Sequence, residues 1–173
     1  MAGMTTDDRS RHDREYANFV AAVWVPYFRL ARLLTGDWHL AEELLQDSLV
    51  RLYTHWPRVS SAGDPHAYLR RMLVNGNVSR WRRHGRERLV DVVPDRFGPD
   101  TGSPDPELRE ALLALPWHQR AVVVLRHYED LSEKAVAEAL DCSVGTVKSQ
   151  HARALTRLRQ LLPASKAEGA FPR

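Results

Sequence analysis

The chain has 173 residues, of which 43% are hydrophobic and 27% charged, the balance of a folded protein rather than a disordered one. This length fits one medium domain or two small ones, and a sequence pI of about 9.3 with a net charge of +3 points to a polyanionic partner. A single cysteine, Cys142, excludes an internal disulfide framework and fits a reducing cytoplasm.

The amino-terminal part of the chain predicts a tail followed by a helix. Residues 1–14 are polar and lack apolar periodicity, so we expect a flexible tail. Residues 15–34 have helical periodicity, with Pro26 expected to kink or divide the helix. The apolar run 19–28 is too short to span a bilayer, and its acidic flank and proline argue against a signal peptide. We therefore expect a cytoplasmic protein without membrane insertion.

Two more helices are predicted before residue 85. Asp37 is suited to cap the first of them, and Pro57 should end it. The pair Asp64-Pro65 predicts the start of the next helix, which should run to about residue 84. Gly76 inside that helix predicts close packing against a neighbour. The buried stripe of the earlier helix would consist of Ala41, Leu44, Leu45, Ser48, Leu52 and Trp56.

A linker and a second module follow. Residues 85–105 are rich in proline, glycine and acids, which predicts a flexible linker. The pair Asp105-Pro106 repeats the earlier start signal, and Ser132 and Ser143 can cap two later helices. No strand-like alternation is found. The sequence predicts an all-α chain of two small helical domains, residues 15–84 and a four-helix domain over 106–162, ending in a tail over 163–173.

The segment from Leu131 to Gln150 has the pattern of a helix-turn-helix. Ala137 supplies the small residue where the two helices cross, and Asp141 tolerates a left-handed turn. Such a motif places its second helix in the DNA major groove. The inner face of that helix would carry Val144, Val147, Ala154, Leu155 and Leu158, with His151 partly buried among them. The outer residues suited to base edges and phosphates are Thr146, Lys148, Ser149, Gln150, Arg153 and Arg157.

The helix predicted over 65–84 carries a second candidate surface for nucleic acid. Its guanidinium groups can neutralise phosphates, and an exposed indole can stack on an unpaired base, a combination that suits melted DNA. A solvated arginine face beside a core tryptophan is the alternative interpretation. The candidate residues are Arg71, Asn75, Ser79, Arg80, Trp81, Arg82 and Arg83.

The helix that follows Asp37 has a polar face, which by itself is usual for a solvated surface. Its members are Glu42, Glu43, Gln46, Asp47 and Arg51. Further motifs along the chain are Leu34-Thr-Gly-Asp, Ala41-Glu-Glu-Leu-Leu-Gln-Asp, Ala67-Tyr-Leu-Arg-Arg-Met-Leu-Val-Asn, Leu115-Pro, Gly145-Thr-Val-Lys-Ser and Arg153-Ala-Leu. With these motifs in this order, the chain resembles the extracytoplasmic-function group (group IV) of sigma-70 RNA polymerase sigma factors, from about residue 19 to 162. The Val147-Lys-Ser-Gln run is most similar to the SigE-type subgroup.

The resemblance implies an alternative sigma factor that binds RNA polymerase core and directs promoter recognition, DNA melting and transcription initiation. It implies that the polar face around Glu43 docks on the clamp helices of the largest polymerase subunit. Residues 58–84 would read the minus-ten element as single-stranded DNA, with Asn75 near a flipped base, and the second module would read the minus-thirty-five element as duplex. Control by an anti-sigma factor is common in this family. Gln150 and His151 depart from the family pattern, so promoter specificity is not carried over.

Two other function classes are weighed against this interpretation. A helix-turn-helix repressor or activator would account for the second module but leaves the polar faces of the first unexplained. An enzyme would have to use the scattered histidines His39, His55, His66, His84 and His118. No metal-binding spacing, phosphate-binding loop or nucleophile motif accompanies them. We therefore expect no catalytic residues, no metal and no cofactor.

Overall fold

The computed structural model describes residues 6–84, 105–163 and 166, and the secondary structure elements of this part are all helical, as predicted. The predicted linker and carboxy-terminal tail lie almost wholly outside the described residues, as do the side chains of Trp81, Arg82 and Arg83. The helices are α1 (Thr6–Thr35), α2 (Trp38–Ala62), α3 (Pro65–His84), α4 (Pro106–Leu113), α5 (Trp117–Val123), α6 (Glu133–Leu140) and α7 (Val144–Leu161). A π-helical turn, Val124–Tyr128, continues α5.

Helices α1, α2 and α3 pack around one apolar core, which we call the first module. The predicted stripe of α2, from Ala41 to Trp56, is buried along its whole length, which confirms the helical phase read from the sequence. Gly76 of α3 lies against α2 as expected, since a Cβ added there would come within 2.6 Å of Leu44 Cδ1. Within the described residues, no helix is both long enough and apolar enough to cross a membrane.

Two boundaries in the first module differ from the expectations. Helix α1 begins at Thr6, inside the segment predicted to be a tail, because His12 and Tyr16 pack against Tyr53 of α2. Pro57 does not end α2, which continues to Ala62 because Val59 is buried in the core. Pro26 likewise lies inside an undivided α1. Tertiary packing outweighs the lost backbone donor at both prolines.

Helices α4 to α7 form the second module, and the predicted side-chain caps are present. Asp105, Ser132 and Ser143 each accept a hydrogen bond from a backbone amide of the first turn that follows. Asp141 adopts the left-handed conformation predicted for the turn, with φ of 52°. One inner-face prediction is wrong. Val144 is 38% exposed because it is the first residue of α7, ahead of the helix crossing.

The two modules touch through side chains that reach across from one to the other. Arg120 of α5 donates to the carbonyl oxygen of Leu34 at the end of α1, at 3.0 Å. Arg70 of α3 lies 3.7 Å from Glu129, which follows the π-helical turn. Leu113 of α4 packs directly over Gly36. The turn between α1 and α2 therefore supports the second module.

Gly36 should tolerate substitution poorly, because its φ of 78° is unfavourable for residues with a Cβ, and an added Cβ would collide with Leu113. We expect Gly36→Ala to lower the free energy of unfolding by about 1–2 kcal/mol in urea denaturation. Gly145→Ala is the matched control. A Cβ at Gly145 meets only Ser143 Oγ at 3.7 Å, so this change should be neutral or stabilising by about 0.5 kcal/mol. Equal losses in both variants would contradict this account.

Candidate nucleic-acid interface

The outer side of α7 presents most of the residues predicted for duplex DNA. Thr146, Lys148 and Ser149 are exposed near its N-terminal end, and Arg153 and Arg157 are exposed further along. The Ser143 cap fixes this end, because its Oγ accepts from the Thr146 amide at 3.0 Å. Thr146, Lys148 and Ser149 therefore lie at the end of the helix that enters a groove first in this motif. We call this surface the α7 face.

Two predicted α7 residues are less available to DNA than expected, one because it is half-buried and one because it has an ion-pair partner. Gln150 is half-buried, so less of it than expected is available to DNA. Lys148 Nζ lies 3.7 Å from Glu133 at the start of α6, and 64% of the lysine side chain remains exposed. An ion pair this exposed contributes little to stability. Lys148 can therefore leave Glu133 for a phosphate or base at small cost.

A histidine pair joins α7 to the π-helical turn. The Nε2 atoms of His127 and His151 lie 2.8 Å apart and their rings are stacked, so His151 is half-buried as predicted. At least one ring must be neutral to accept this hydrogen bond. Burial lowers the pKa of both histidines, and nearby Arg126 lowers them further, whereas Glu133 raises that of His151. The pair therefore favours the neutral forms and fixes the orientation of α7.

The exposed side of α3 carries Arg71, Asn75 and Ser79, spaced four residues apart on one side of the helix. We call these three residues the α3 face. Arg80, predicted to join them, points to α2 instead. It donates to Glu43 at 2.7 Å and to Asp47 at 3.2 Å. The hydrogen bond that Arg80 donates to Glu43 is the main cause of the raised pKa of Arg80, which keeps the guanidinium charged.

The polar face of α2 is exposed as predicted, except that Glu42 is half-buried. The structure adds two residues that sequence reasoning missed, Val50 at 68% and Tyr53 at 42% exposure. Their spacing from Gln46 and Asp47 follows the helical repeat, which could have revealed them. Sequence reasoning did not place them on this face, because valine and tyrosine side chains are normally expected in the core. We call the exposed set Glu43, Gln46, Asp47, Val50 and Arg51 the α2 face.

Three further buried polar groups hold the modules around these faces. Arg120 is largely buried, and desolvation lowers its pKa to about 10, so the guanidinium stays charged at neutral pH. Burial also raises the pKa of Tyr27 to about 12, and its hydroxyl donates to the His66 carbonyl at 3.1 Å. Arg70 donates to the same hydroxyl at 3.4 Å. These contacts position the first turns of α3.

Comparison with known families identifies the family to which the two modules belong. Residues 20–87 match the family described as Sigma-70 region 2, and residues 106–158 match Sigma-70, region 4. The chain belongs to the sigma-70 family. The first module of this sigma factor is thus region 2 and the second module region 4, which confirms the resemblance inferred from the motifs.

Individual relatives identify the group within the sigma-70 family. The RNA polymerase sigma-E factor of Streptomyces avermitilis is 38% identical to it over 86% of this chain and 85% of that protein. The sigma-E factor of Streptomyces coelicolor is 37% identical over 87% of each. The ECF RNA polymerase sigma factor SigE of Mycolicibacterium smegmatis is 31% identical over 83% of this chain and 60% of that protein. The chain is an alternative sigma factor of the extracytoplasmic-function group, which directs promoter recognition and transcription initiation.

Solved structures agree on the fold. The sigma factor RpoE from Bartonella quintana, in complex with the anti-sigma factor NepR, matches with a TM-score of 0.73 and 26% identity over 86% of this chain and 96% of that one. CnrH, in complex with the cytosolic domain of CnrY, matches with a TM-score of 0.60 and 24% identity over 88% and 90% of the two chains. The second match shows the fold alone.

The His127–His151 pair should make region 4 less stable in acid. Both folded-state pKa values lie below the ordinary histidine value of 6.5, so protonation favours the unfolded chain. The stabilisation is present above about pH 6.5 and is lost as the pH falls through the folded-state values. Urea denaturation at about pH 7.5 and 5.5 should show a smaller acid-induced loss in His127→Gln/His151→Gln than in the wild type. An unchanged loss in the variant would refute the assignment.

Proposed function

We propose that this sigma factor reads its two promoter elements with two differently built helices. The observation that carries the proposal is the separation of the two exposed faces onto different modules. The α7 face offers donors for base edges and phosphates of a duplex, after a capped N-terminal end. The α3 face offers Asn75 and Arg71, an amide and a guanidinium suited to an opened strand. The first would take the minus-thirty-five element and the second the minus-ten element.

The α2 face is the proposed docking surface for RNA polymerase core, on the clamp helices of its largest subunit. It carries two carboxylates against one guanidinium, so these carboxylates should meet cationic groups of the partner. Val50 and Tyr53 add apolar area beside these charges, and a central apolar or aromatic contact surrounded by polar groups is typical of protein interfaces. Docking of this kind would leave the α7 face uncovered, because that face belongs to the other module.

Regulation and cellular setting complete the proposal. RpoE, which is 26% identical to this chain, is solved in complex with the anti-sigma factor NepR. By analogy we propose that an anti-sigma factor binds this chain and controls access to polymerase. We also propose that the sigma factor acts in the cytoplasm and is not itself an enzyme, the chemistry of RNA synthesis being that of the polymerase it binds.

Run-off transcription on a library of genomic fragments tests the function as a whole. Purified cognate core should yield discrete new transcripts only when the sigma factor is added. Their upstream sequences should share two elements, which then supply the probes for the variants below. Absence of transcripts, together with tight binding to duplex DNA without core, would contradict the proposal.

The α7 face should contribute to duplex recognition alone. We expect Lys148→Ala and Arg153→Ala each to weaken holoenzyme binding to a duplex minus-thirty-five probe by about tenfold, because a charged contact to a base or phosphate is lost. Their affinity for core should be unchanged. Arg159→Ala, which removes an exposed arginine elsewhere on α7, is the matched control and should bind both normally. Loss of core affinity in Lys148→Ala or Arg153→Ala would argue against separate surfaces.

Asn75 should act only once the DNA has opened. We expect Asn75→Ala to reduce open-complex formation, measured by permanganate reactivity, by about tenfold while closed-complex affinity stays constant. Holoenzyme binding to a single-stranded minus-ten oligonucleotide should fall in parallel. Equal losses in closed-complex and open-complex assays would instead indicate a general folding defect.

A further inference from the structure

Arg80 lies where the α2 face and the α3 face meet. Its Nη1 atom donates to Glu43 Oε2 at 2.7 Å and its Nη2 atom to Asp47 Oδ2 at 3.2 Å. The sequence predicts that this arginine contacts DNA, and the family resemblance implies that both acids contact polymerase. These contacts therefore join two surfaces predicted to bind different partners. In the free protein the guanidinium is therefore held on the polymerase side.

The contacts of Arg80 are of a kind that a partner can replace. The side chains of Glu43 and Asp47 are 61% and 59% exposed, so much of each carboxylate is open to an approaching cation. The Arg80 side chain is only 22% exposed, so water and salt screen these pairs mainly at their carboxylate ends. A cationic surface docking on the α2 face would meet these same carboxylates and compete with Arg80 for them.

Arg80 is also within reach of the α3 face. It follows Ser79, an exposed member of that face, so its Cα lies about 100° further round the helix. A long arginine stem can cover this arc while its aliphatic part stays packed. Phosphate accepts the guanidinium fork with the same bidentate geometry as a carboxylate. A phosphate of the opened strand is therefore a chemically equivalent alternative to Glu43 and Asp47.

We propose that Arg80 changes partners when RNA polymerase core binds. Cationic groups of core take over Glu43 and Asp47, and the released guanidinium binds a phosphate of the opened promoter strand. The inference rests on the proposed function, namely that core occupies the α2 face and the strand occupies the α3 face. Core binding then raises affinity for the strand through one named side chain. The free protein keeps this charge neutralised within itself.

The first test mimics core binding by neutralising the acids. Free full-length protein carrying Glu43→Gln/Asp47→Asn is titrated with a short fluorescent single-stranded oligonucleotide of mixed sequence over a range of salt concentrations. The slope of log affinity against log salt should steepen by about 0.7, the value for one added phosphate contact on a single strand. The control Glu15→Gln/Glu110→Gln removes the same charge from exposed positions elsewhere and should leave the slope unchanged. Adding Arg80→Ala to the first variant should restore the wild-type slope.

The second test asks whether the effect of Arg80 depends on core. Arg80→Ala alone should leave strand affinity of the free protein unchanged. With saturating core it should weaken strand binding by about fivefold, because one charge-assisted contact to phosphate is then lost. If Arg80 only ties α3 to α2, the variant will lose strand affinity equally with and without core, and the acid-neutralised variant will show no steeper slope. That result would overturn the exchange.

The outcome for Asn75 separates this inference from the proposed function. If Asn75→Ala impairs strand binding by the holoenzyme and Arg80→Ala does not, the exchange is wrong but the α3 face still reads the strand. If neither change impairs strand binding, the assignment of the α3 face is wrong, and the exchange fails with it. If both impair it and only Arg80→Ala depends on core, the exchange is supported.

Discussion

The guanidinium of Arg120 is the contact between the two regions that joins the ends of two helices, and it acts beside the Arg70–Glu129 pair and the packing of Leu113 on Gly36. It donates to the carbonyl oxygens of Leu34, Leu113 and Leu115, which lie at or just beyond the ends of α1 and α4. Helix ends leave such carbonyls without intrahelical partners, and a buried guanidinium needs acceptors in turn. Each therefore satisfies the other. Because Arg120 sits on α5, the placement of the π-helical turn and of α7 follows from this contact.

Local signals in the sequence predicted most helix boundaries. Asp37, Asp105, Ser132 and Ser143 cap the helices they were expected to cap, since a side-chain oxygen and a backbone amide a few residues away need nothing else to form the bond. The end of α2 was not predictable in the same way. Pro57 carries a local stop signal, and only the burial of Val59 against other helices overrides it.

The candidate surfaces likewise have features that the sequence predicted and features that it could not predict. Periodicity placed Arg71, Asn75 and Ser79 on one exposed side of α3, because the spacing of residues along a single helix determines which of them share a face. It could not show that Arg80 turns to Glu43, which lies 37 positions earlier. Pairing between helices depends on how their axes cross and how far apart they lie. Such contacts become visible only once the packing of the whole module is known.

Burial separates the ion pairs that hold this fold from those that can serve a partner. Arg70 and Glu129 are only 19% and 16% exposed, so parting them would leave two desolvated charges, which is strongly unfavourable. Lys148 and Glu133 are 64% and 37% exposed, and separating such a surface pair costs about 1 kcal/mol or less. In the pair of Arg80 with Glu43 the carboxylate is 61% exposed and open to a partner, although the arginine is only 22% exposed. Under the proposed function the protein binds both an anionic nucleic acid and a partner at its acidic face, so it gains from keeping these charges in the second kind of pair. In the proposed exchange, such charges are neutralised in the free protein and released when a stronger counter-charge arrives.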